Sequence, residues 1–324
     1  MKKNIKIKKK LALYKSMVLI RKTEEKLIEL HPEQQMKTPF HLYIGQEAVA
    51  SGICIDMKKD DLVFSSHRSH GHYLAKGGDL KKFFSEMYNK DNGCSKGRGG
   101  SMHLIDVNAG HMGSSSIVAG SIPIAVGAAL ALKKKNKNNV IVSFFGDGAI
   151  DEGVLYESFN FSSLHKLNII FVCENNKLSV NSPLKVRRLR DNLVERAASF
   201  DVFAKRIDGN DVLKINDIFN NIRKKQIKKS FPVLLECDTY RIKGHIGIDD
   251  DVIPGIRDEG EISEWKKRCP ILSLEKKLIK SNLTSKKNLE KLKDEIDYKI
   301  KLAVNHGRQS PLPKTKDLLK NIFA

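Results

Sequence analysis

The sequence predicts a doubly wound α/β fold, a mainly parallel sheet with helices on both faces, followed by a helical C-terminal extension. Three observations carry this prediction. Val140–Phe145 and Asn168–Cys173 are short runs rich in β-branched and aromatic residues, the composition of strands buried on both faces. Between them, Val154 to His165 places apolar and polar residues at helical spacing, giving a strand–loop–helix–strand unit whose right-handed crossover makes the strands parallel. No composition break or internal repeat divides the first 270 residues. One α/β domain is therefore expected over 1–270, with the extension over 271–324.

The remaining elements follow in order. Residues 11–31 read as an amphipathic helix, and Ala48 to Ile55 as a helix of small residues. Asp61–Ser66 is a strand that runs directly into His67-Arg68, and Leu80 to Met87 is helical. Asn89 to Ser116 is rich in Gly, Ser and Asn and lacks periodicity; long irregular stretches inside a compact domain are usually functional. Ser121-Ile122-Pro123 opens a helix to Lys134, with a capping serine and an early proline. Val202–Ile207 is a strand, Asp211 caps a helix from Val212 to Lys225, and Phe231 to Tyr240 is the last strand. Residues 273–303 are helical and lysine-rich.

Fifty-eight lysines and arginines against 38 acids give a net charge of +20. Such a charge can signal nucleic acid, a membrane surface or an acidic partner. The lysines, however, are spread over Lys2–Lys10, Lys133–Lys137, Lys224–Lys229 and Lys276–Lys293, with few aromatics and no RNA-binding signature. Lysine-rich codon usage, with an acidic partner subunit as a second contributor, accounts for them better, and no nucleic-acid partner is expected. The basic N-terminus has no adequate apolar core or cleavage site, and the apolar run Ile117–Leu132 is broken by Gly, Ser and Pro. Neither membrane association nor secretion is expected. Five cysteines without a CxxC pair suit reduced thiols, hence a soluble cytoplasmic protein.

The chemistry concentrates in Gly146-Asp147-Gly148 and Asn175-Asn176. Both lie just past the carboxyl ends of parallel strands, where open α/β sheets place ligands. One carboxylate and one amide oxygen are too few to cage calcium. Mg²⁺ takes octahedral oxygens and accepts part of its shell from phosphates and water. Glycines beside Asp147 let backbone approach a diphosphate closely. A lone Gly-Asp-Gly also makes ordinary turns, but the strand–helix–strand setting favours a magnesium diphosphate site.

The spacing of Gly-Asp-Gly to Asn-Asn resembles the thiamine diphosphate signature. The wider chain, from roughly Met17 to Trp265, resembles the alpha subunit of the 2-oxo-acid dehydrogenase first component, the group that includes pyruvate, branched-chain and acetoin dehydrogenases. The segments that carry the resemblance are Phe40–Ala48 (FHLYIGQEA), His67–Gly71 (HRSHG), Gly97–His103 (GRGGSMH) and Tyr240–His245 (YRIKGH). The resemblance implies the thiamine diphosphate-binding fold and Mg²⁺ held by Asp147, Asn176 and the carbonyl of Leu178. Lys177-Leu178 stands where the family more often has Gly-Tyr or Arg-Tyr. Cofactor contacts are implied for His67, Arg68, Ser116, Val118, Gly146, Asp147, Gly148, Ala149, Asn176 and His245. His67 replaces a common tyrosine, and Arg68 has the fork that suits phosphate oxygens.

His245 is implied as the catalytic residue that assists acyl transfer to lipoamide, on a mobile loop whose glycines and aspartates have a lid composition. Ile246 and Ile248 occupy positions that are phosphorylatable serines in some relatives, which excludes regulation there. The glutamate that activates the cofactor comes, in the family, from a beta subunit; Glu47 and Glu152 are candidates here only on paper. Expected partners are thus a beta subunit in a heterotetramer and a lipoyl-bearing acyltransferase, with a 2-oxo acid, pyruvate first, as substrate. Acetoin dehydrogenation and a split transketolase-like two-carbon transfer are the alternatives. A non-catalytic basic binding protein would leave the Gly-Asp-Gly and Asn-Asn unit unexplained.

Overall fold

Six parallel strands form the centre of the molecule in the order β2-β1-β3-β4-β8-β7: β1 Leu62–Ser66, β2 His111–Ser115, β3 Ile141–Gly146, β4 Ile169–Asn175, β7 Phe203–Asp208 and β8 Val233–Asp238. A two-stranded antiparallel hairpin, β5 Leu178–Ser179 with β6 Ser182–Pro183, projects beyond β4. The structure is a computed structural model that describes residues 2–317, 319 and 320, with the side chains of residues 2–6 excepted. The last part of the expected 271–324 extension, residues 318 and 321–324, and the side chains of the first lysines of the N-terminal cluster fall outside those limits.

Side chains alternate along each strand between two separate cores, as strand geometry demands. Val142, Phe144, Ile170, Val172, Val233 and Leu235 face one core, and Ile141, Phe145, Ile169, Phe171 and Leu234 face the other. The first core is completed by α1 Lys2–Leu30, α2 Glu47–Cys54, α3 His70–Ala75, α4 Leu80–Met87, α9 Val212–Lys228, α11 Pro270–Lys280 and α12 Lys286–Gln309. The second is covered by α5 Ser121–Lys134, α6 Gly153–Leu164 and α8 Leu193–Ala198. Two short helices, α7 Leu184–Arg187 and α10 Glu259–Lys267, lie in the connections. Helices on both faces of a parallel sheet are the predicted doubly wound arrangement.

Four local expectations need correction. The Asn89–Ser116 stretch contains a strand, β2, whose sequence His-Met-Gly-Ser-Ser lacks β-branched residues; pairing with β1 imposes it. Ser121 makes no side-chain cap, because the helix begins there and Gly120 holds the cap position. The helix expected over 273–303 is two helices, broken at Asn282, which takes φ +51°; Ser285 then caps α12 by accepting from the Asn288 N–H at 3.2 Å. The first helix also starts well before residue 11. By contrast, Asp211 caps α9 as expected, accepting from the Lys214 N–H. Leu278, Leu289, Ile296 and Ile300 of the C-terminal helices share one core with α1 and α4.

The carboxyl ends of five strands open on one side. β2 lies on one side of β1 and β3 on the other. Connections that leave in opposite directions part there and leave a crevice at the strand ends.

Candidate active site

A cleft of about 180 Å³ occupies this crevice. Each strand end delivers to it: Ser116 follows β2, His67 and Arg68 follow β1, Asp147 follows β3, Asn176 follows β4, and His245 comes from the loop after β8. Gly146, Gly148, Ala149, Val118 and Leu178 complete the lining among the residues singled out above. All of the sequence-predicted site residues are thus brought together.

Asp147 is 1% exposed and opens a short 3₁₀ turn through Asp151. Its Oδ2 pairs with the Arg187 guanidinium, while its Oδ1, equally buried, has no hydrogen-bond partner. Burial pushes this carboxyl above its ordinary value, and Arg187 and Arg188 pull against that push. A buried carboxylate oxygen facing a cleft with nothing to accept from is the donor a hard cation requires. Asn176 lines the same cleft. Its Nδ2 donates to Gln46 Oε1 at 3.0 Å, and its Oδ1 accepts from the Leu178 N–H at 3.2 Å, which leaves a second lone pair. Lys177 and Val180, on either side of the short strand Leu178–Ser179, adopt φ of +65° and +54°, a left-handed geometry that non-glycine residues rarely take. A Cβ on Gly146 would project into open space, whereas one on Gly148 would meet Ser179 Oγ at 2.6 Å. The residues fit a divalent cation with a close-lying anion.

Cationic groups gather behind these ligands. Arg68 is buried and donates to the carbonyls of Leu42 at 2.6 Å and His245 at 3.1 Å; burial lowers it to about 10. Arg241, 1% exposed, donates to the Val180 carbonyl but leaves Nε and Nη1 unpartnered. Burial, then Arg68 and Arg257, lower it to about 9. Guanidiniums buried together without matching carboxylates favour a multiply charged anion.

His41, His67 and His245 crowd one wall, with ring centroids 4.8 to 5.5 Å apart. Burial, followed by the Arg68 charge, depresses them to about 2, 3 and 4 respectively, so all three are neutral imidazoles at neutral pH. The histidines nearby are engaged differently. His70 bridges Glu24 and Ser101, and His72 bridges Ser65 and Glu174. Of the two paper candidates for an activating glutamate, Glu47 accepts from Arg21 and the Gly45 N–H, and Glu152 is exposed. Glu174 does line the cleft, but its Oε1 accepts from the Tyr43 hydroxyl and pairs with His72.

The loop after β8 is tied down more than its composition suggested. His245 N–H donates to Asp251, Gly247 N–H to the Phe40 carbonyl at 2.9 Å, and Lys243 pairs with Asp250 at 2.8 Å. Sequence reasoning missed Arg187, Arg188, Gln46, Glu174 and the part played by His41. Gln46 and His41 lie inside the Phe40–Ala48 motif, but Arg187 and Arg188 sit in a basic run with no distinguishing pattern.

The family model for the dehydrogenase E1 component matches residues 14–316. The chain belongs to the dehydrogenase E1 component family. Among curated relatives of this E1 chain, the alpha subunit of acetoin:2,6-dichlorophenolindophenol oxidoreductase from Bacillus subtilis is 34% identical over 315 residues, covering 97% of this chain and 93% of the relative. The pyruvate dehydrogenase E1 component subunit alpha of Rickettsia bellii is 33% identical over 310 residues, 96% of this chain and 94% of that one. The chloroplastic pyruvate dehydrogenase E1 alpha-3 subunit of Arabidopsis thaliana is 34% identical over 320 residues, 97% and 74% respectively. An E1 component implies thiamine diphosphate as cofactor, and these alpha subunits imply a beta-type partner. No helix among the described residues is long and apolar enough to cross a membrane.

Proposed function

We propose that this chain is the alpha subunit of a cytoplasmic 2-oxo-acid dehydrogenase acting on pyruvate, with Mg²⁺ and thiamine diphosphate in the cleft. The observation that carries the proposal is the unpartnered, buried Asp147 Oδ1, beside Arg187 and Arg188, in a cleft that Asn176 also lines. When bound, the cofactor supplies the nucleophilic carbon and the electron sink for loss of CO₂. Asp147 Oδ1, Asn176 Oδ1 and the Leu178 carbonyl would hold the metal, and Arg68, His67 and the Gly146–Ala149 backbone would hold the diphosphate. Ser116 and Val118, which line the cleft, would contact the cofactor's pyrimidine ring. His245 would present a neutral imidazole N–H for acyl transfer to a lipoyl group on an acyltransferase.

A beta-type subunit is proposed to complete the site as a heterotetramer. Ile117, Val118, Val180, Val186 and Leu189 expose large apolar side chains near the mouth, Ile117 by 70% and Leu189 by 97%. Apolar clusters of this kind mark partner surfaces. Acetoin is the second substrate reading, favoured by what the Bacillus subtilis relative is named for. The test is co-expression with the adjacent beta-type subunit and assay of pyruvate, branched-chain 2-oxo acids and acetoin with an artificial electron acceptor. Turnover of pyruvate first supports the proposal; no turnover of any 2-oxo acid by an assembled, cofactor-loaded complex would overturn it.

A further inference from the structure

We infer that the end of the sheet opposite the cleft is a docking surface for an acidic, extended protein segment that carries apolar side chains. Parallel strands put their amino ends on one side, so the segments that enter β1, β3, β4 and β8 meet there, neighbouring strands lying about 4.8 Å apart. Hydrogen bonds tie these segments together. Asn139 Nδ2 donates to the Asp60 carbonyl at 3.0 Å, Lys133 Nζ to the His165 carbonyl at 2.6 Å, and Gln226 Nε2 to the Phe231 carbonyl at 2.8 Å.

Two lysine clusters far apart in the chain, Lys133–Lys137 and Lys224–Lys229, are thereby gathered onto one face with the exposed Lys58 and Lys59. Carboxylates are scarce there. Asp56 and Asp61 already pair with Lys9 and Arg223, at 2.5 and 2.6 Å. Among the described residues, that leaves Asp60 and Asp201 as the exposed acids of the segments entering the strands. Lysines without matching carboxylates make a positive field that draws in an anionic partner before contact.

Charge alone does not select a protein; the neighbouring groove does. Between the edge strand β7 and α9 lies a groove of about 230 Å³, lined by Phe203, Phe231, Ile218 and Ile222 and by Lys205, Lys225 and Asn221. Phe203 is 50% exposed, its ring edge to face with that of Phe231 at 6.5 Å between centroids. An apolar hollow with lysines in its lining fits an apolar side chain flanked by carboxylates. β7 pairs only with β8, so its outer edge is free to accept an extended chain. Lys205 on that edge and the net charge of +20 disfavour a second copy of this chain as the occupant. A nucleic acid would use the lysines but leave the hollow unfilled, since neither cluster carries an aromatic ring on which bases could stack.

The inference does not depend on what the cleft binds, because the groove shares no lining residue with it. Fluorescence anisotropy of the full chain with a labelled peptide of alternating glutamate and phenylalanine tests it. An all-glutamate peptide, a lysine–phenylalanine peptide, an oligouridylate and phosphatidylglycerol vesicles are compared. The glutamate–phenylalanine peptide should bind most tightly, and more weakly as salt rises. Phe203→Ser should lower its affinity at least about tenfold, since burying a phenyl side chain is worth more than that. Lys205→Glu with Lys225→Glu, both on the surface and harmless to the core, should also weaken it. Lys134→Glu with Lys135→Glu should slow association more than it speeds dissociation. Absence of peptide binding, equal affinity for the all-glutamate peptide, affinity unchanged in both groove variants, or tighter binding of the oligouridylate or the vesicles would each overturn the inference.

Discussion

The guanidinium of Arg187 lies against the carboxylate of Asp147 and also pairs with Asp151 at 2.5 Å. Asp147 is the proposed metal ligand, so in the metal-free chain an arginine stands in for the cation. Arg187→Ala should leave buried Asp147 with only the more distant Arg188, 3.9 Å away, to offset its charge, which destabilises the metal-free chain by roughly 1–3 kcal/mol. The same change removes a competitor, and apparent Mg²⁺ affinity should rise about tenfold, equivalent to about 1.4 kcal/mol. Thermal melts with and without Mg²⁺ measure both. Weaker Mg²⁺ binding would instead make Arg187 a ligand for the anion.

Asp147→Ala should abolish Mg²⁺-dependent thiamine diphosphate binding and leave the fold intact. The side chain sits at a strand end, not in either hydrophobic core. Calorimetric titration of the assembled complex decides this, and unchanged cofactor affinity would refute the metal assignment.

Purified alone, the chain should neither decarboxylate 2-oxo acids nor bind the cofactor tightly. Glu47 is engaged by Arg21, and Glu174 by Tyr43 and His72, so neither is free to activate a cofactor. Robust turnover by the isolated chain would show that an internal glutamate serves.

The loop from Lys243 to Arg257 should be cleaved by trypsin after Lys243 in the free chain and protected by Mg²⁺ with thiamine diphosphate. Its anchors are hydrogen bonds and the partly exposed Lys243–Asp250 pair, which open readily. Equal cleavage in both states would argue against a ligand-ordered loop.

His245→Ala should slow acyl transfer to lipoamide by about 10²–10⁴-fold, and decarboxylation with an artificial oxidant by less. Its depressed ionisation fixes the sign of the pH effect. In the free subunit the ring is neutral above about pH 4 and gains charge only below it, so imidazole NMR should show no His245 titration near 6.5. Equal losses in both assays would make His245 a cofactor-positioning residue.

Much of the molecule is legible in one dimension because its strands are hydrophobic on both faces. Runs such as Ile169–Cys173 read as central parallel strands, and the residues that follow them then fall at the carboxyl edge. That reasoning located Asp147 and Asn176 from local pattern, and the family resemblance added Arg68 and His245. It could not find β2, whose Gly and Ser residues are extended only because β1 pairs with them. Nor could it place Arg187 on Asp147 or gather His41, His67 and His245 onto one wall. Those contacts join segments far apart in the chain, and their charges and unpartnered nitrogens acquire meaning only once burial removes the water that would otherwise satisfy them.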